Sequence, residues 1–155
     1  MGGDKITEVY FTNGEKQSVR AGQGGTLTVG AQVQVPGAER LLFHASAGIK
    51  YVTTQADNAH IRLTRVPVLL TANWMAAKKL RLGAGLATHR GIRFKADGIG
   101  DDVKFDAASG PMFEIAYSGI GLSYTAMNYK DEFNNTYSAN AIGITVTGVI
   151  PAKKK

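Results

Sequence analysis

Apolar and polar residues alternate with a period of two through most of this chain. In Thr26 to Val35, the residues Leu27, Val29, Ala31, Val33 and Val35 fall on one face, with Thr26, Thr28, Gly30, Gln32 and Gln34 on the other. That is the pattern of a strand with a single apolar face. It recurs from Leu41 to Tyr51, Arg65 to Trp74, Leu80 to His89, Met112 to Tyr117, Ile120 to Met127 and Ala141 to Ile150. The seven segments predict seven strands, most of them near the nine to eleven residues that cross a bilayer at a tilt. An eighth strand is expected from Ile6 to Phe11 or from the rest of residues 1–25. Asn13-Gly14 in the same region is equally a tight-turn signal for a small accessory hairpin.

The predicted connections sort into two kinds. Pro36-Gly37-Ala38-Glu39, Ala76 to Lys79 and Ser118-Gly119 are short, whereas 54–60, 95–104 and 130–138 are long and polar. Since alternate connections of antiparallel neighbours lie at opposite ends, one end should carry tight turns and the other long loops. Phe43, Trp74 and Tyr117 fall near the short-turn end, and Tyr51, Phe94, Phe105, Tyr129 and Tyr137 near the long-loop end. Two such belts are expected where rings sit at lipid headgroups. Phe113 and Tyr124 lie between them.

Composition narrows the chemistry. A length of 155 residues suits one domain. The 18 Lys and Arg against 12 Asp and Glu give a net charge of +6, yet charged residues make up only 19%, below the roughly 25% of soluble domains. With no cysteine, disulfides, thiolate metal sites and cysteine nucleophiles are excluded. No run of 18 apolar residues suggests a spanning helix, and the first residues lack the apolar core of an export signal. The expectation is that such a signal has been removed. Five of the bases, Lys78, Lys79 and Lys153 to Lys155, belong to a turn and a tail rather than to an aromatic-studded face, so nucleic-acid binding is not expected.

If the apolar face meets lipid, the interior receives Gln32, Gln34, His44, Lys50, Arg65, Asn73, Arg81, His89, Glu114, Ser123 and Thr125. Glu114 is the lone acid of the strand set, and pairing with Arg81, Lys50 or Arg65 would make its burial tolerable. The expected site is therefore a polar network of Glu114, Arg81, Lys50, Arg65, His44 and His89. An eight-stranded lumen is just wide enough to be filled by such side chains. Catalytic residues, a metal and a cofactor are not expected. His44, His60 and His89 show no ligand spacing, and Ser46 beside His44 has no orienting acid. Gly83-Ala84-Gly85 lies inside a strand with no following helix, and Asp97, Asp101, Asp102 and Asp106 are interleaved with lysines.

Arg65-Val66-Pro67-Val68-Leu69-Leu70, followed by Leu80-Arg81-Leu82-Gly83-Ala84-Gly85-Leu86, resembles the wording of small eight-stranded outer-membrane β-barrels of Gram-negative bacteria. The resemblance covers roughly residues 26–151. It implies an all-β fold, one antiparallel up-and-down transmembrane barrel of about eight strands, placed in the bacterial outer membrane. Residues 1–25 would then be an N-terminal segment, 26–151 the barrel and 152–155 a basic tail. One departure is that the chain ends Val149-Ile150-Pro151-Ala152 and three lysines, whereas such barrels end in an aromatic. The expected role is non-enzymatic: a monomer in lipid or detergent, structural or meeting an extracellular ligand or surface partner through 54–60, 95–104 and 130–138. A narrow pore or carrier for small or apolar solutes is the alternative. A soluble lipocalin-like ligand-binding barrel, its apolar face turned inward, is the second.

Overall fold

The computed structural model describes residues 2–10, 15–56, 59–97 and 101–150, and none of them is helical. Asn13-Gly14, and the basic tail from 152, lie outside the described residues. The N-terminal segment forms a hairpin of its own, β1 (Lys5–Tyr10) with β2 (Lys16–Arg20), outside the main sheet. That sheet is antiparallel throughout. Its strands are β3 (Gly25–Val35), β4 (Ala38–Ala56), β5 (Ala59–Ala77), β6 (Leu80–Asp97), β8 (Ala108–Tyr117), β9 (Ile120–Thr125) and β12 (Ala141–Val146), each paired with the next. The short β7 (Val103–Phe105) returns on β6, and β10 (Asn128–Lys130) pairs with β11 (Thr136–Ser138). The sheet curls into a half-barrel, with β3 and β12 as its free edges.

Two expected long loops prove to be strand. Segment 54–60 is the tip of a hairpin between two 19-residue strands, with only 57 and 58 outside the described residues. Alternation continues there, because Val52, Thr54, Ile61 and Leu63 all point inward and β-branched residues favour the extended backbone. Segment 95–104 likewise begins as the end of β6 and finishes in β7. Segment 130–138 holds the end of β10, the turn and β11 of one hairpin. At the opposite end, Ser118 (φ 53°) and Gly119 (φ 90°) make a two-residue turn with both φ positive, the geometry that suits the twist of a hairpin.

The decisive local feature is a bulge in β6. Val66 pairs with Arg90 but Thr64 pairs with Arg93, so Gly91 and Ile92 together face Arg65. Gly91 has φ +56°, which glycine adopts without the steric cost of a Cβ. The extra residue moves every later side chain of β6 to the other face. On the short-turn side of the bulge, Leu82, Ala84 and Leu86 point outward while Arg81, Gly83 and His89 point inward. Beyond it, Ile92, Phe94 and Ala96 are buried inside and Arg93 and Lys95 are exposed.

The molecule accordingly has two halves of opposite construction. In the half with the tight turns, the outside carries Val66, Leu70, Trp74, Phe113, Ile115 and Leu122, all exposed. In the other half the outside carries Arg62, Thr64, Arg90, Arg93, Lys95 and Lys104, and the apolar core is enclosed. Val19 and Ala21 from the N-terminal segment pack into that core with Ile61, Leu63, Phe94 and Tyr129. Asp4 ties the segment down: its amide donates to the Ser138 carbonyl at 2.6 Å, and its carboxylate accepts from the Ser138 amide at 2.7 Å. The upper aromatic belt is corrected here. Phe94, Phe105 and Tyr129 are buried in the core rather than set around the rim, because the bulge turns Phe94 inward and β7 and β10 fold over it.

Gly91→Val puts a β-branched side chain into the left-handed region. We expect a loss of about 2 kcal/mol in denaturant unfolding, against a near-neutral Gly148→Val at an open, ordinary position.

Candidate functional site

A cavity of about 780 Å³ lies in the concavity of the curled sheet, reached by residues of every long strand. Its chemistry follows from the alternation: on the short-turn side of the bulge the inward positions include Asn73, Arg81 and Glu114 alongside Leu69, Ala87 and Met112. Arg81 and Glu114 form an ion pair there, and Arg81 also reaches Thr147 Oγ1 at 3.3 Å. Gly83 stands opposite Glu114. A Cβ at Gly83 would lie 2.5 Å from Asn73 Oδ1 and 3.5 Å from the Glu114 Cβ, so the glycine makes room for those two side chains.

The structure divides the six predicted network residues into separate groups. Only Arg81 pairs with Glu114. Lys50 donates to the Gly22 carbonyl at 3.0 Å. Arg65, fully buried, donates to the Ala21 carbonyl at 2.6 Å and to the Gln23 carbonyl. These two cations therefore clamp the turn between β2 and β3 against the sheet. His89 Nδ1 lies 2.5 Å from the Tyr129 hydroxyl, and the Arg65 guanidinium sits 5.7 Å from the centre of that ring. His44 lines the cavity. The sequence placed Tyr129 at a rim and gave no reason to pair it with His89; their 40-residue separation becomes a contact only once β10 folds over β6. Burial is the main reason the Tyr129 hydroxyl is pushed up to about 12, with Arg65 acting in the opposite direction.

None of the remaining candidates assembles into catalytic geometry. Ser46 Oγ is buried and makes no hydrogen bond to His44 or any other described group. Asp97 pairs with Arg62 at 2.7 Å, and Asp102 accepts from the Ala96 amide at 3.2 Å. Among the described residues no three His or carboxylate groups stand close enough together to hold a metal ion. The cavity lining is mixed, with Leu69, Ala87 and Met112 beside Asn73, Arg81 and His44, and its acidic lining residue, Glu114, is already paired with Arg81.

Asp131 organises the exposed end of the β10–β11 hairpin. Its Oδ1 accepts from the amides of Phe133 (2.9 Å) and Asn135 (2.8 Å), and its Oδ2 from Asn135 Nδ2 (2.9 Å) and the Tyr137 hydroxyl (3.4 Å). Burial alone would raise the carboxyl, but these hydrogen bonds, led by the Asn135 side chain, outweigh it and hold the group below its ordinary 3.8. A depressed carboxyl contributes stability that is complete above its unfolded value and is lost as pH falls through the folded one. Protection of the Phe133 and Asn135 amides from hydrogen exchange, relative to the intrinsic rate at each pH, should therefore be full above about pH 4 and be lost as pH falls below it. In Asp131→Ala it should be absent throughout.

Comparison with known proteins finds no matching family model, no matching curated protein and no matching solved structure.

Proposed function

We propose that the chain is a membrane-spanning β-barrel of the bacterial outer-membrane kind, non-enzymatic, whose water-exposed half meets partners outside the membrane. One observation carries the reading: side-chain polarity reverses at Gly91. A protein immersed wholly in water has no use for a half that is apolar outside and polar inside, whereas hydrocarbon demands that arrangement. The half beyond the bulge, with charges outside and an apolar core, is built for water. It also contains the described residues of the segments 54–60, 95–104 and 130–138, the last organised by Asp131 and tied to the N-terminal segment through Asp4. The lipocalin-like alternative requires a uniformly apolar interior along the strands; the ion pair of Arg81 and Glu114, with Asn73 and His44, shares that interior with Leu69, Ala87 and Met112.

A second reading, a narrow carrier or pore, is favoured by the cavity itself, about 780 Å³ in the concavity of the sheet and lined by the Arg81–Glu114 pair. The first reading is tested by mixing refolded chain with phosphatidylcholine vesicles. Co-flotation, together with heat-modifiable gel mobility in detergent, supports it, and a monodisperse, folded, detergent-free monomer overturns it. Steady conductance in planar bilayers that changes in Glu114→Gln would favour the carrier.

A further inference from the structure

Outward charge near the Gly91 bulge is unevenly placed. Beyond the bulge, Arg93 and Lys95 of β6 and Lys104 of β7 are exposed on the outer face, and Arg90 is exposed on its short-turn side. Arg62 of β5 shares that face, directly opposite Lys95. On β4 the outward residues at the same height are Tyr51 and Thr53, the partners of Thr64 and Arg62, and neither is charged. The cations are gathered on one sector, β5 to β7.

Within this sector like charge faces like. Arg93 stands directly across from Lys104, as Arg62 does from Lys95, and like charges directly opposite each other destabilise a strand pair. Asp97 answers Arg62 alone, at 2.7 Å. Asp102 is turned to the Ala96 amide, and Asp106 is exposed beyond Lys104 without pairing to it. Among the described residues, Arg90, Arg93, Lys95 and Lys104 enter no ion pair.

Height along the strands fixes the chemistry of the anion that would relieve them. Val66, paired with Arg90, is the exposed apolar residue of β5 nearest the bulge, and Thr64, two residues further out, pairs with Arg93. Two residues of strand advance about 7 Å, which a tilt of about 40° reduces to about 5 Å along the bilayer normal. The polar layer outside the hydrocarbon is about 5 to 7 Å deep on each side. Arg93 and Lys104 therefore fall at phosphate depth, beside an outer face of Val66, Leu70 and Leu86 against which acyl chains pack. Arg62 and Lys95 lie two residues further into water.

From these observations we infer that the outer face of β5, β6 and β7 at the bulge is a binding site for an anionic phospholipid, its phosphate held between Arg93 and Lys104. The guanidinium offers a planar fork of donors to two phosphate oxygens, and the ammonium brings a compact charge to the same group. The acyl chains lie along Val66, Leu70 and Leu86. A phosphate free in water, or one on a nucleic acid, would meet the cations but leave that apolar face uncovered. The inference rests on the membrane reading and adds to it a lipid class that one sector of the sheet selects.

The chain has one tryptophan, Trp74, so Trp74→Phe/Val66→Trp places a single fluorophore beside Arg90. The full chain is refolded into phosphatidylcholine vesicles containing a minor fraction of phosphatidylglycerol, with one lipid or the other brominated near its glycerol. Brominated phosphatidylglycerol should quench this tryptophan as though enriched about fivefold over its share of the bilayer. Adding Arg93→Gln/Lys104→Gln should bring the enrichment below about twofold, while unchanged quenching by brominated phosphatidylcholine shows that the variant is still inserted. Lys78→Gln/Lys79→Gln, at the opposite end, should leave the enrichment as it was. Excess soluble glycerol phosphate should not displace the lipid.

Quenching by both brominated lipids in proportion to their shares overturns the inference and leaves the membrane reading standing. Enrichment that survives Arg93→Gln/Lys104→Gln also overturns it. So does enrichment abolished by glycerol phosphate or by an oligonucleotide, which would assign the cations to a ligand in water. Absence of quenching by either lipid removes the membrane reading and the inference together.

Discussion

An arginine in place of Leu86 should destabilise the vesicle-embedded chain by about 2 to 4 kcal/mol, the cost of a charge near the bilayer midplane. Leu86 faces outward midway between the Gly91 bulge and the turn at Lys78-Lys79, with Leu70 of β5 as its cross-strand neighbour. The same substitution at Thr64, also outward on β5 but beyond the bulge, should cost about 1 kcal/mol or less, because the surface there already carries Arg62, Arg93 and Lys95. Reversible urea unfolding in phosphatidylcholine vesicles measures both. Equal penalties would mean that the two outer surfaces meet the same solvent.

Glu114→Ala is expected to cost about 3 kcal/mol, at the lower end for removing one partner of a buried ion pair. The side chains of Arg81 and Glu114 are 16% and 11% exposed, and Thr147 remains as a weak second partner for the guanidinium. The loss comes mainly from stranding Arg81 in the cavity. Arg81→Met/Glu114→Ala should therefore be more stable than Glu114→Ala alone, a sign that a double-mutant cycle in the same vesicles reads directly. Lys50 and Arg65 do not rescue the single variant, since both are engaged with the backbone of residues 21–23.

Much of this architecture can be read from period-two alternation. Leu82, Ala84 and Leu86 against Arg81, Gly83 and Gly85 already divide β6 between an apolar and a polar face, and Glu114, the one acid among several bases, is expected to pair with Arg81, Lys50 or Arg65; only the β6–β8 register selects Arg81. The reversal after Gly91 is harder to see. A single inserted residue leaves the alternation locally intact while inverting its meaning, so Phe94 reads as a rim aromatic until the register of β5 against β6 is known. Partners that depend on the backbone are less legible still. The Ala21, Gly22 and Gln23 carbonyls that hold Arg65 and Lys50 carry no side-chain signal, and their position follows from the N-terminal hairpin packing into the core through Val19 and Ala21. Segment 54–60 reads as a loop because Gln55, Asp57 and Asn58 are polar, although Val52, Thr54, Ile61 and Leu63 keep both arms extended.

The central claim, that polarity reverses along one strand because its two halves lie in different solvents, is tested by a single-cysteine scan of β6. The chain has no cysteine of its own, so each substitution gives a unique label. Positions 82, 84, 86, 93 and 95 are changed to cysteine one at a time, labelled with an environment-sensitive fluorophore, and studied in vesicles with brominated lipid as quencher on one side of the comparison and aqueous iodide on the other. Labels at 82, 84 and 86 should be quenched by the brominated lipid and shielded from iodide, and labels at 93 and 95 should behave the opposite way, with the change falling at Gly91. Iodide quenching that is equal at all five positions would contradict the account.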